Sequence, residues 1–246
     1  QESLDRFSKA CTDFGLTIST KKTEIMYQPA PLVPYTEPSI TLDDQELAVA
    51  DKFSYFVSTL SRTVSIDEEV TIKIARGSAA FGKLNNTVWN RRGIRLQTKL
   101  KVYRAVVMPS LLFACETWTV YSRHAKQLNA FHMRCLRKLL HIKWQDKTPD
   151  TEVLQRAEMT SVYAMLRRSQ LRWAGHVCRM PDDRLPKRMY YGELIEGKRS
   201  RSQKKRLKDT LKASMKSCGI DPHSWEQLAK DRAGWRHQIN TCAAAF

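Results

Sequence analysis

Residues 65–88 read SIDEEVTIKIARGSAAFGKLNNTV, and the spacing within them decides what kind of fold follows. Ser65 with Glu68 three positions on has the form of a capping box, in which two side chains satisfy backbone donors left open at a helix start. Beyond it Ile66, Val70, Ile74, Phe81, Leu84 and Val88 return to one face at the helical period. The stretch therefore predicts a helix of about six turns with one side buried. Asp67, Glu68 and Glu69 lie in its first turn, where carboxylates complement the helix dipole and need no further role.

The same period continues downstream. A second helix, Leu96 to about Tyr121, carries Leu100, Tyr103, Val107 and Leu111, and should kink at Pro109, whose ring removes a backbone donor. A third runs from about His124 to Leu140. Thr148-Pro149, a cap followed by proline at the first helical position, opens a helix through Arg156. Ser161 to Arg179 buries Val162, Leu166, Trp173 and Val177, and a later helix packs Leu207, Leu211 and Met215 while Lys204, Lys208, Lys212 and Lys216 stay wet. The last helix starts near Ser224 with Gln227 as its box partner and Trp225, Leu228, Trp235 and Ile239 on its buried side.

Upstream the pattern changes. Leu4, Phe7, Cys11 and Phe14 share a helix face that stops at Gly15, and short extended pieces follow at Glu24–Tyr27, Ser39–Leu42, Leu47–Val49 and Phe53–Phe56. Pro29, Pro31, Pro34 and Pro38 make a loop between them that cannot join a central strand. The chain opens inside a helix without an initiator Met, and so reads as a piece of something longer. The fold class is α+β, mostly α: a small antiparallel β region at residues 1–60, then helical regions at 61–145 and 146–246.

Charge follows the same seam. The 246 residues carry +17, yet residues 1–60 hold five basic and nine acidic side chains, 61–145 sixteen and four, 146–217 eighteen and nine, and 218–246 three of each. A basic middle of this strength points to a polyanion, nucleic acid before anionic membrane, and exceeds what a small acidic substrate needs. No span crosses a bilayer, because the longest apolar run, Val106–Cys115, is broken by Pro109 and Ser110. Cysteines 11, 115, 135, 178, 218 and 242 lie far apart, with no Cys-x-x-Cys pair. They read as buried thiols of an intracellular, nuclear or cytoplasmic, reducing compartment. His132 with Cys135 and His176 with Cys178 come nearest to metal-ligand spacing, but each sits in an apolar helical stretch and reads as core.

Catalytic chemistry is hard to place. Asp43-Asp44 could hold metal ions, but between short strands it fits a two-residue hairpin turn, where Asp tolerates left-handed backbone. Asp182-Asp183 follows Pro181 and reads as a solvated turn. The chain contains no Gly-rich phosphate loop, no His-Glu-x-x-His and no Gly-x-Ser-x-Gly. The candidates are instead phosphate contacts: Lys126, Arg134, Arg137 and Lys138 on the third helix, and Arg168, Arg172 and Arg179 on one face of the helix at 161–179. Lys198–Arg206 has six basic residues among nine, and Lys204, Lys205 and Lys208 belong with it as phosphate contacts or as part of an import signal. Trp89, Trp118, Trp144 and Trp173 could stack on bases, although helical spacing makes most of them core.

Gly15-Leu16-Thr17-Ile18-Ser19, then Lys21-Lys22-Thr23-Glu24-Ile25-Met26, then Phe53-Ser54-Tyr55-Phe56-Val57-Ser58-Thr59-Leu60 resembles the end of the palm in reverse transcriptases of non-LTR (LINE-type) retrotransposons. Leu112-Phe113-Ala114-Cys115-Glu116-Thr117-Trp118 and Leu171-Arg172-Trp173-Ala174-Gly175-His176-Val177-Cys178-Arg179-Met180 look like the downstream region of the same reading frames. The resemblance implies that residues 1–60 are a palm remnant, with Lys22 on the lysine that assists the incoming nucleotide's phosphates and Tyr55, Phe56, Val57 and Ser58 on the primer grip. It implies a thumb at 61–145 and a basic tail beyond it, holding an RNA/DNA hybrid or duplex. Magnesium and deoxynucleotides are implied for a full-length parent and no cofactor for this chain, because the family's motif of an aromatic residue, Ala and two Asp is missing. Where relatives have Tyr-Leu-Gly this chain has Tyr55-Phe56-Val57. The expectation is a reverse-transcriptase fragment that binds template and primer without polymerising. The rivals are a host-retained nucleic-acid-binding or interaction module and a decayed fragment.

Overall fold

The computed structural model describes residues 1–29, 33–55, 58–62, 65–192 and 205–244. Among them, residues up to Ser65 form one compact unit and those from Ile66 onward another.

The first unit opens with α1 (Glu2–Asp13), followed by strands β1 (Glu24–Ile25), β2 (Thr41–Leu42), β3 (Gln45–Glu46), β4 (Ala48–Val49), β5 (Lys52–Tyr55) and β6 (Ser58–Ser61). Gly15 ends α1 as expected. Its φ of +69° lets Gly15 N–H reach the Thr12 carbonyl at 3.0 Å and Leu16 N–H the Cys11 carbonyl at 2.8 Å, a Schellman motif. Asp43 and Asp44, at φ 48° and 62°, are the two turn residues of the antiparallel β2–β3 hairpin, as their chemistry predicted. β5 and β6 also pair antiparallel, Tyr55 opposite Ser58. The expectation of purely antiparallel strands is corrected at β1, which pairs parallel with β4. The Gln1 side chain ties α1 to the hairpin, donating to the Thr41 carbonyl at 2.8 Å and accepting from Thr41 N–H at 3.0 Å. Of the stripe Leu4, Phe7, Cys11 and Phe14, Cys11 alone is buried, and Phe14 is 83% exposed.

The second unit is helical: α2 (Asp67–Lys83), α3 (Leu96–Val102), α4 (Met108–Leu112), α5 (Ser122–Leu139), α6 (Asp150–Arg156), α7 (Val162–Cys178), α8 (Leu185–Tyr191), α9 (Leu207–Ser217), α10 (Trp225–Lys230) and α11 (Arg232–Ala244). α2 begins one residue later than the capping box would place it, with Ile66 as its N-cap. Likewise Pro149 is the N-cap of α6 rather than its first helical residue. The helix expected over 96–121 is three pieces. Pro109 offers no donor to the carbonyl four residues back, and the ladder widens to a π turn at Tyr103–Val107 before α4. Ala114, left-handed at φ 64°, then ends it. The last helix is also two: Asp231 interrupts it and caps α11, accepting from Ala233 N–H at 2.9 Å and Gly234 N–H at 3.1 Å.

Two apolar cores result. Val70, Leu100, Tyr103, Val107, Leu111, Leu128, Leu136, Val153 and Leu166 belong to the first, and Leu171, Leu211, Met215, Trp225, Trp235 and Ile239 to the second. Leu166 and Leu171 are both on α7, which therefore runs through both. The carboxylates in the first turn of α2 do more than complement its dipole. Asp67 pairs with Arg123 and His124 at 2.7 Å each, and buried Glu69 sits 3.4 Å from the fully buried Lys73 ammonium. His132 faces inward, its Nδ1 2.9 Å from the Tyr103 hydroxyl. Burial lowers the His132 pKa to about 4 against the partial opposition of the Thr160 backbone, and burial raises the Cys135 thiol to about 12. The reading of all six cysteines as thiols is corrected: Cys218, just past α9, and Cys242 of α11 form a disulfide. Among the described residues, no helix is long and apolar enough to cross a membrane.

Candidate nucleic-acid interface

A cluster of cations lies where α7 meets α11. Ser169, Arg172, Trp173, His176 and Arg179 recur at i, i+3, i+4, i+7 and i+10, which stacks them on one side of α7. α11 contributes Arg232 and Arg236, one turn apart, and the 3₁₀ turn Cys115–Thr117 contributes Glu116. Together with Trp235 these residues line a cavity of about 450 Å³. Local packing explains why the two helices come so close. Gly175 on α7 has no side chain, and a Cβ there would lie 2.1 Å from Trp235 Nε1. That indole donates instead to the Leu171 carbonyl at 3.0 Å, inside the core. Gln170 anchors the third wall, donating to the Trp118 carbonyl at 2.9 Å.

Four guanidiniums and one imidazole thus converge with a single carboxylate. Arg179 is partly engaged, donating to the Ala229 carbonyl. Arg172, Arg232 and Arg236 are exposed, and Glu116, half-buried, forms no ion pair with them. Chemically, such a bowl can neutralise phosphate by bidentate guanidinium contacts.

The predicted residues are distributed unevenly. Arg172 and Arg179 enter the cavity, whereas Arg168 lies beside Leu171, Cys218 and Cys242 on another side of α7. On α5, Lys126 and Arg134 are exposed. Arg137 is engaged with Asp150 at 2.6 Å and with the Thr148 carbonyl at 3.1 Å, while Lys138 donates to Asn85 at 2.9 Å. Lys205 lies with its ammonium 5.7 Å from the Tyr121 ring, and Lys208 reaches the Tyr191 carbonyl at 3.4 Å. Lys204 lies outside the described residues, as do Phe56 and Val57. Tyr55 and Ser58 face each other across β5 and β6, and Lys22 is exposed in the 3₁₀ turn Thr20–Lys22. Of the tryptophans, Trp89 and Trp118 are core, Trp173 lines the cavity, and Trp144 is 83% exposed. Asp182 pairs with Lys187 at 2.8 Å, and that ammonium holds its carboxyl below the ordinary range.

Sequence reading missed Arg232, Arg236, Glu116 and Ser169, and its reading of His176 as core is corrected: on the polar side of α7 the imidazole is exposed and lines the cavity. The readable signal was Gly175: a glycine inside a helix costs about 1 kcal/mol relative to alanine, and so marks a close approach.

No family model matches the chain, and no solved structure does. It is 24% identical over 245 residues to a transposon-derived protein of Caenorhabditis elegans, covering 94% of this chain and 85% of that one. It is 23% identical over 158 residues to the RNA-directed DNA polymerase from the mobile element jockey of Drosophila funebris, covering 62% of this chain but 16% of that polymerase. The chain is thus similar in sequence to two proteins of mobile-element origin. The similarity to the polymerase spans a small part of the polymerase's length.

Proposed function

We propose that the chain is a nucleic-acid-binding part of a retrotransposon reverse transcriptase, with the first unit as palm edge and the second as thumb and basic tail. The observation that carries this reading is the division of charge: from residue 66 onward, 36 Lys and Arg face 16 Asp and Glu, while the residues before it are net acidic. The partner is a template–primer hybrid or duplex, whose phosphates Lys126 and Arg134 contact from α5. Polymerisation belongs to the parent protein. Magnesium would need converging carboxylates, and Asp43 and Asp44 do not fit it: they occupy a hairpin turn in which Asp43 accepts from the Ser8 hydroxyl at 3.1 Å.

Binding to an RNA/DNA hybrid should fall linearly with the logarithm of salt, losing at least about tenfold between 50 and 200 mM. Fluorescence anisotropy measures this, and a flat response overturns the reading. Changing Lys126 and Arg134 together to Gln should weaken hybrid binding and flatten the salt slope by about two, with helicity unchanged. Replacing Arg137 and Lys138 would mix in the loss of their contacts to Asp150 and Asn85.

The match to a transposon-derived protein over 85% of that protein's length favours a second reading, a free-standing binding module. The upstream genomic frame separates the two. Continuation into an aromatic-Ala-Asp-Asp motif supports the first, and an intervening stop codon supports the second.

A further inference from the structure

Resting on the reading of the second unit as a nucleic-acid binder, we propose that the cavity between α7 and α11 seats one unpaired nucleotide of a single-stranded segment. It would be a site separate from the phosphate contacts on α5.

Three observations point to a nucleotide rather than to a passing duplex backbone. First, the cations line a concavity, and about 450 Å³ is the size of a small-ligand pocket. A phosphate in a duplex rail meets a protein surface along its length, whereas a splayed nucleotide can enter a bowl with its base and phosphate together. Second, the wall is mixed. Arg172, Arg232 and Arg236 are free to take phosphate oxygens, while Trp173, partly exposed, offers a ring to a base. Trp173 is held by a T-shaped contact with Tyr190 at 5.8 Å between ring centres. Third, Glu116 stands in the same lining without an ion pair to the arginines. A carboxylate would repel a bare phosphate. It suits a ligand that also brings N–H or O–H donors, such as a base amine or a ribose hydroxyl. α11 is held in place beneath the site by the Gly175–Trp235 contact and the Asp231 cap, so the arginines belong to a preformed wall.

The test uses the full chain and three probes: a single-stranded oligonucleotide, a blunt duplex of the same length, and inorganic pyrophosphate as competitor. Arg172→Gln with Arg236→Gln should weaken single-strand binding about tenfold or more and duplex binding less than about threefold, while Lys126→Gln with Arg134→Gln does the reverse. Glu116→Gln should weaken the oligonucleotide and make pyrophosphate a better competitor. Circular dichroism confirms that each variant is folded. If the Arg172/Arg236 variant leaves single-strand affinity within twofold, or loses both nucleic acids equally, the site is not a nucleotide seat. Preferential capture of the chain by anionic phosphatidylserine vesicles over the oligonucleotide also overturns it. A wild-type chain that binds neither nucleic acid at low salt overturns the underlying functional reading as well. Salt-dependent duplex binding together with cavity variants that change nothing overturns this inference alone.

Discussion

In the first unit Cys11, Leu42 and Leu47 are the buried apolar side chains among the described residues, while Phe14 and Leu16 are 83% and 63% exposed. In the second, two contiguous cores run from Val70 to Ile239 and enclose Tyr103, Leu111, Leu128 and Leu171 completely. The contrast separates two ways of holding a chain. Strands of two to four residues bury little, and local devices define the first unit: the Schellman turn at Gly15, the Asp43-Asp44 turn and the Gln1–Thr41 pair. The second unit is defined by burial, and its geometry follows from which side chains fit against which.

If that contrast is right, perturbing a contact in the second unit should be costly. Gly175→Ala improves helix propensity yet forces a Cβ into Trp235, so it should destabilise the second unit by about 4 kcal/mol through overpacking and a lost buried hydrogen bond. Denaturant unfolding measures it, and a stabilised variant would mean that α7 and α11 do not meet as described. The next effect is one of pH. His132 has a pKa of about 4 in the fold against an ordinary 6.5. Below 6.5 the unfolded chain takes up a proton that the folded chain refuses. Stability from this group is therefore complete above pH 6.5 and falls by about 3 kcal/mol as pH drops toward 4. His132→Gln should flatten that window. The smallest effect belongs to the first unit, where Phe14→Ser should change stability by less than about 0.5 kcal/mol because the ring is exposed. A larger loss would show that this face is covered in solution.

Long periodic segments were legible in sequence. α5 and α7 lie within about two residues of their expected bounds, because a one-sided apolar stripe leaves few alternatives, whereas α2 ends at Lys83, five residues short of Val88, where a π turn at Asn85–Trp89 carries the stripe on. Breaks were not. Ala114 takes a left-handed conformation that alanine seldom adopts, and neither glycine nor proline marks the end of α10. Asp231 carried a cap signal but stands within an apolar period that continues across it. At the cavity, Arg172 and Arg179 were visible as one helix face. Arg232 and Arg236 were hidden in a segment of zero net charge, and only the bare α-carbon of Gly175 connects them to the rest.

The Cys218–Cys242 bond has a practical corollary for anyone handling the protein. The intervening stretch contains α10 and most of α11, including Trp235 and both of its neighbouring arginines at 232 and 236. A protease that nicks the chain anywhere inside this loop leaves two fragments travelling as one band on a gel, and they part only when a thiol reductant is added to the sample.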